Sequence, residues 1–385
     1  MRRVYMDYAA TTPLDPRVFE AMKPYFTTIY GNPSSINTFG LDAKKALEES
    51  RRIVSSMMNG TPDELIFTGS ATEANNLALK GFAFNEGIKK AHIAISAIEH
   101  DCVLNTAKWL EKQGFRITTL PVDRSGLLNL ERLEHVLRKG ASLISIIHAN
   151  NEIGVIQPVS EIGKLCHEYG SYLHIDAAQS FGKIPIDVEK MNIDLMTVNA
   201  HKIYGPKGVG ALFLKEGVKI DPLLHGGGHE FGLRSSTENV PGVVGFAKTV
   251  ELRKDEMKPE AQRLKKLQNR LIKDVLEIGE TRLNGHPTKR LPNIANFIFS
   301  FIEGESLVLL LNDEGVATST GSACSSKSLE PSHVLLALGL KPEEIHGSLR
   351  LSLGKYTTEE DIDYVLEILP RDVEKLRKMS PLYKS

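Results

Sequence analysis

Along much of the chain, apolar runs too short to be helices alternate with stretches of helical periodicity. Leu65–Thr68, His92–Ser96, Phe115–Leu120, Leu143–Ile147, Tyr172–Ile175, Leu195–Val198 and Val209–Leu214 read as buried strands. Helical patterns lie between many of them. One covers Ala74–Phe84, and another places Ile162, Leu165, Cys166 and Tyr169 at i, i+3, i+4, i+7. This alternation predicts an α/β fold with a mostly parallel sheet covered on both faces. The last two runs are too close for a helical crossover, which points to an antiparallel strand there. From about Pro241 the pattern becomes one long, charged helical region with an apolar stripe of Leu264, Leu267, Leu271, Val275 and Ile278. Pro259 lies inside it, so a kink or break is expected. The charges read as a solvated helix face. After Gly285 come a strand (Ile294–Phe299), a helix at about 306–312, a polar loop, a strand (Leu349–Leu353) and a final helix, suggesting a second, smaller β-then-α unit.

Composition narrows the class. At 385 residues the chain has room for two or three domains of roughly 100–200 residues each. Lys+Arg 47 against Asp+Glu 48 gives a formal charge of −1, so no global basic field argues for nucleic acid. No apolar run has the length of a membrane span, and Asp7 interrupts the N-terminus before a secretory h-region develops. Cys102, Cys166 and Cys324 are far apart and lack a C-x-x-C arrangement. They argue against a disulfide framework and a cysteine-rich zinc site, and for a reducing cytoplasm.

Several segments have the composition of a chemical site. Thr68-Gly69-Ser70-Ala71-Thr72-Glu73 follows a strand and opens a helix. It reads either as an anion-binding helix start or as an ordinary capped one. Asp176 ends a strand, where open α/β sheets bind ligands, and a buried acid there needs a cationic partner. His174 and Asp176 share a strand face, so a metal pair is conceivable, although no further ligand lies close in sequence. Lys202 follows the next strand in a loop rich in small residues, a setting for an amine nucleophile or for a merely solvated lysine. The chain order of anion site, strand-end acid and lysine matches what pyridoxal phosphate requires for its phosphate, ring nitrogen and aldehyde carbon. His100 begins a helical segment, as a stacking or acid–base imidazole or as an exposed one. His225-Gly226-Gly227-Gly228-His229 reads as a turn or subunit-contact loop, because glycines between histidines make a floppy chelate. Among the cysteines, Cys166 lies on an apolar stripe and reads as core, while Cys102 has no distinctive sequence surroundings. Cys324 sits in the run Thr318–Ser328 of mostly small and hydroxylated residues, which reads as a nucleophile on a mobile arm or as an exposed linker thiol.

Taken together, these segments closely resemble the cysteine desulfurases of the NifS/IscS type. The resemblance runs from Tyr5-Met6-Asp7-Tyr8-Ala9-Ala10-Thr11-Thr12-Pro13 to the C-terminal helix. It is carried by Gly31–Ser35, Thr68–Asn76, Glu99-His100, Asn150–Gly154, Asp176–Gln179, Ala200–Gly208, Arg234–Thr237, Ser322-Ala323-Cys324 and Arg350–Gly354. It implies fold type I of the pyridoxal-phosphate-dependent transferases, an α/β fold. A large domain (14–255) would hold the cofactor, and a smaller α+β domain (1–13 and 256–385) would carry the Cys324 loop. The implied activity converts L-cysteine to L-alanine and leaves the sulfur on Cys324 as a persulfide, for iron–sulfur cluster assembly and tRNA thiolation. By the same resemblance Lys202 holds pyridoxal 5'-phosphate and moves protons, Asp176 pairs with its ring nitrogen and Gln179 bonds its phenolic oxygen. His100 stacks on the ring and serves as acid or base. Ala71, Thr72 and His201 bind the phosphate, with Thr237 reaching in from the other subunit of a homodimer. Arg350 clamps the substrate carboxylate, helped by Asn32 and Asn151. Asn199 stands where the family usually has a serine touching the phosphate, and its amide can still donate. No metal and no direct nucleic-acid contact are implied, and the partners are sulfur acceptors such as an iron–sulfur scaffold. The competing readings are a selenocysteine lyase or aminotransferase of the same fold, and a non-catalytic sulfur carrier or docking protein.

Overall fold

Residues 2–87, 91–321 and 331–383 are described by the structure, a computed structural model. Twelve strands are present among them. They are β1 (Val4–Tyr5), β2 (Leu65–Thr68), β3 (His92–Ser96), β4 (Arg116–Leu120), β5 (Leu143–Ile147), β6 (Tyr172–Asp176), β7 (Leu195–Asn199), β8 (Gly210–Leu214), β9 (Thr281–Leu283), β10 (Ile294–Phe299), β11 (Val316–Ala317) and β12 (Ser348–Ser352). Seven of them form one sheet in the order β2-β8-β7-β6-β5-β3-β4. Only β8 runs against its neighbours, β7 and β2. The expected antiparallel strand is therefore β8. Every residue of β2, β3, β5 and β7 is buried, as strands rich in apolar residues are when helices cover both faces. The exposed edge falls to β4, whose Arg116 and Thr119 face solvent.

A second, antiparallel sheet has the order β12-β10-β9, and β1 pairs in parallel with β11. Its apolar core joins Val4 and Met6 from the N-terminus to residues between Leu264 and Val373. The helix Val240–Val275 belongs to both cores. Val243, Phe246 and Val250 pack under the large sheet, and Leu264, Leu267, Leu271 and Val275 pack under the small one.

Of the kink or break expected at Pro259, the break is absent, since the helix runs its 36 residues through that position. Pro259 is exposed. The carbonyl it leaves without an amide partner lies on the solvent side, where water can take it.

The carboxyl ends of β3, β5, β6 and β7 lie side by side through the registers Ile95↔Ser145, Ile147↔Asp176 and Asp176↔Thr197. The loops that leave those ends converge on one depression.

Candidate active site

Between the carboxyl ends of the large sheet and strand β12 lies a cavity of about 330 Å³. Asp176, Asn199, Asn151 and His100 enter it from the ends of β6, β7, β5 and β3. Arg350 enters from the small sheet.

At one wall the helix Ala71–Phe84 begins. Ser70 caps it, its hydroxyl accepting from the Glu73 amide at 3.1 Å. Ala71, Thr72 and Asn75 line the cavity. The first amides of a helix have no carbonyl partner within it and carry the positive end of its dipole, so this wall suits a phosphate. His201 lies in the same cavity, its Nδ1 3.1 Å from Thr11 Oγ1. Burial, and then the charges of Lys202 and Lys207, push this imidazole down to about 4. Asn199 turns its oxygen to the Lys202 amide at 3.4 Å and so braces the turn that presents the lysine.

Asp176 is buried, accepting from the Ala178 amide at 2.9 Å and from Asn75 Nδ2 at 2.7 Å. Both of these donors are neutral, and among the described residues no salt bridge reaches Asp176. A protonated ring nitrogen is the group such a carboxylate lacks. Lys202 Nζ donates to the carbonyls of Ala9 (2.5 Å) and Ala10 (2.6 Å). Gln179 also donates to Ala9 O, at 2.8 Å, and accepts from Lys183 Nζ at 3.1 Å. Burial, reinforced by the charge of Lys202, pulls the Lys183 amine down to about 7.

Arg350 is almost wholly buried. Nη2 pairs with Asp7 Oδ1 at 2.7 Å and Nη1 donates to Asn151 O at 2.8 Å, while Nε is buried without a partner. A guanidinium whose Nε–H is unspent among the described residues is suited to a carboxylate. An anion wall, a lone buried carboxylate, a lysine and this guanidinium together fit pyridoxal phosphate and an amino acid.

Not every expected residue comes to this cavity. Asn32 and Thr237 are exposed and do not line it, and Asn32 Oδ1 instead accepts from the Ser34 amide at 2.9 Å. Cys324 lies outside the described residues. His174 forms no metal pair with Asp176. Both its ring nitrogens are engaged, with Ser145 Oγ (2.8 Å) and Thr197 Oγ1 (3.1 Å), and burial drives it down to about 3. Among the described residues no cluster of histidine, cysteine and acid can hold a metal ion. Cys166 is in the core, as its helix stripe predicts.

Sequence reasoning missed Asn75, Lys183, the pairing of Asp7 and the surroundings of Cys102. Cys102 Sγ is 3.0 Å from His100 Nδ1 and 3.1 Å from Asn75 Nδ2. The available signal was a polar residue on the apolar face of a helix. Asn75 is buried between Ala74 and Leu77, where nothing but a specific partner would retain an amide.

Comparison with known proteins agrees with this geometry. Residues 4–365 match the family model described as aminotransferase class-V. Cysteine desulfurase IscS 1 of Archaeoglobus fulgidus is 52% identical over 380 residues, 99% of each chain. A solved NifS-like protein superposes with a TM-score of 0.92 at 38% identity, covering 97% of this chain and 100% of its own. SspA, solved in complex with cysteine, gives 0.83 at 38% identity, covering 92% of this chain and 100% of its own.

Proposed function

Because the chain belongs to the class-V aminotransferase family and, within it, to the cysteine desulfurases, we propose a division of that reaction among its own residues. The protein is a pyridoxal-phosphate-dependent cysteine desulfurase that mobilises sulfur from L-cysteine. Neither the selenocysteine lyase or aminotransferase reading nor the non-catalytic carrier is favoured.

In this reading Lys202 holds the cofactor through Nζ, Asp176 faces the ring nitrogen, and Gln179 and His100 contact the ring. Ala71, Thr72, Asn199 and His201 take the phosphate, with Thr237 supplied by a second subunit. When bound, the cofactor supplies an electron sink that weakens bonds at the substrate Cα. Arg350, braced by Asp7 and Asn151, fixes the substrate carboxylate, and Asn32 assists. The Lys202 amine would move the Cα proton, and the His100 imidazole would serve as a second acid or base. The Cys324 thiolate attacks the substrate sulfur. The carbon–sulfur bond breaks as the new sulfur–sulfur bond forms, giving a persulfide on Cys324, and the carbon fragment takes up protons and leaves as L-alanine.

The observation that carries this reading is Asp176, a buried carboxylate whose hydrogen-bond donors are neutral, in one cavity with Lys202 and Arg350. Borohydride treatment of reconstituted protein tests it. The label should fall on Lys202 and the visible absorbance should disappear. A label elsewhere would overturn the assignment.

Further parts of the reading concern assembly. A homodimer is supported by the apolar residues exposed between 26 and 41, with Ile36 96% exposed and Phe26, Tyr30, Phe39 and Leu41 more than half exposed. The exposure of Asn32 and Thr237 outside their own chain's cavity supports it too. The reading divides the chain into a large domain, 14–255, and a small one, 1–13 with 256–385, which two of its apolar clusters support. The sulfur acceptors are proteins such as an iron–sulfur scaffold, with tRNA thiolation a further destination, and the compartment is the cytoplasm. Among the described residues no helix is long and apolar enough to cross a membrane.

A further inference from the structure

Cys102, for which the desulfurase reaction has no use, sits in the cavity wall between the carboxylate assigned to the ring nitrogen and the imidazole assigned to the ring face. His100 is the N-cap of the helix Asp101–Lys112, and its Nδ1 accepts from the Cys102 backbone amide at 3.2 Å. A backbone N–H can only donate, so Nδ1 carries the lone pair and the neutral ring carries its hydrogen on Nε2. The Cys102 sulfur lies 3.0 Å from the same Nδ1. With Nδ1 as acceptor, the thiol is the donor of this pair and shares the one lone pair with the backbone amide.

The other side of the sulfur is equally constrained. Asn75 Nδ2 reaches Cys102 Sγ at 3.1 Å and Asp176 Oδ2 at 2.7 Å, one acceptor for each of its two hydrogens. Its carbonyl oxygen is buried with no partner, so the Asp176 carboxylate is what orients this amide. Turning the amide over would bring oxygen against carboxylate oxygen. The donors therefore run in one direction. The Asn75 amide gives to the sulfur, the sulfur's hydrogen goes to Nδ1, and Asp176 sets the orientation at the origin.

We propose that Cys102 is a positioning residue. With Asn75 it transmits the orientation set by Asp176 to His100 and holds the imidazole in the form that carries its hydrogen on Nε2. In this form His100 enters the reaction as a donor through Nε2, with its ring plane fixed by two bonds to Nδ1. The inference rests on His100 facing the cofactor ring, whereas the hydrogen bonds themselves exist without it.

The test uses the holoenzyme with Cys102→Ala and Cys102→Ser. The S–H stretching band of Cys102, isolated as the difference between wild type and Cys102→Ala, should lie well below that of core Cys166, as a thiol donating to nitrogen requires. Cys102→Ala should lower kcat about threefold to tenfold with KM unchanged, the effect of one lost hydrogen bond. Cys102→Ser, whose hydroxyl repeats both bonds, should restore most of it. A Cys102 band at the frequency of an unbonded thiol, or equal kcat in all three proteins, would overturn the proposal. Loss of the cofactor's visible band from wild type would instead count against the cofactor reading, and the S–H measurement would still judge Cys102.

Discussion

Arg350 and Asp7, 343 residues apart in the chain, form an ion pair 2.7 Å long at the cavity wall. Arg350 is held on β12, whose register with β10 sets it opposite Asn296, and Asp7 bridges to Ser352 on the same strand. The pair aims a guanidinium whose Nε is still unspent.

Arg350→Ala should therefore raise KM for L-cysteine about 10- to 100-fold, the scale of a charge-assisted hydrogen bond. Asp7→Asn, which keeps the charge on Arg350 but loosens its aim, should raise KM about threefold to tenfold and leave kcat within about twofold. Steady-state kinetics separate the two effects. An unchanged KM in Asp7→Asn would show that Asp7 does not position the arginine.

Asp176→Asn should have opposite effects on stability and on turnover. In the cofactor-free protein the substitution removes a buried charge that has only neutral partners. The unpartnered Asn75 Oδ1 can turn to meet the new amide. Thermal denaturation of the cofactor-free variant should show it about 1–3 kcal/mol more stable than wild type. The holoenzyme variant should lose at least about 10²-fold in kcat, as removal of an electrostatic stabiliser does.

Glu99 gives a pH signature. It is fully buried, accepts from Ser96 Oγ and, at 2.7 Å, from the Ile147 amide, and has its second oxygen unpartnered. Burial pushes its carboxyl up from 4.5 to about 8 against those hydrogen bonds. Between those values the folded protein keeps a proton that the unfolded chain has released. The contribution to stability is thus full below 4.5 and is lost as the pH rises through about 8. Glu99→Gln, which matches the protonated form in shape, should flatten the fall in melting temperature across that window. An unaltered slope would show that Glu99 is ionised in the fold.

Cys166 should be chemically silent. It is packed against the large sheet, and burial, followed by the charge of Asp194, pushes its thiol up to about 12. Alkylation of the native protein should spare it and label it only after unfolding, because the thiolate is the reactive form. Labelling of Cys166 at native pH would contradict its place in the core.

The strands of the large sheet were legible because full burial on both faces leaves a short apolar run, as in Leu65-Ile66-Phe67. Their order was not, since β2 reaches the sheet edge only by pairing with β8, and that pairing joins Leu65 to Phe213. Lys202 and Asp176 could be placed at the cavity because Asp176 ends a strand and Lys202 follows one into a loop. Asn75, Cys102 and Lys183 could not, because their meaning lies in their partners. Asn75 is 101 residues from Asp176, so its place on an apolar helix face marks a buried amide without saying what it meets. Pro259 failed as a helix breaker because its cost depends on whether the freed carbonyl meets water or a packed neighbour, which sequence does not say.

The central claim is that sulfur leaves L-cysteine by way of Cys324. Mass spectrometry of the Cys324 peptide, taken after the enzyme is mixed with L-cysteine and quenched, tests it most directly. One added sulfur atom on Cys324 and an equivalent of L-alanine formed with it are expected. Alanine released while Cys324 stays unmodified, with Cys324→Ala turning over at the wild-type rate, would contradict it.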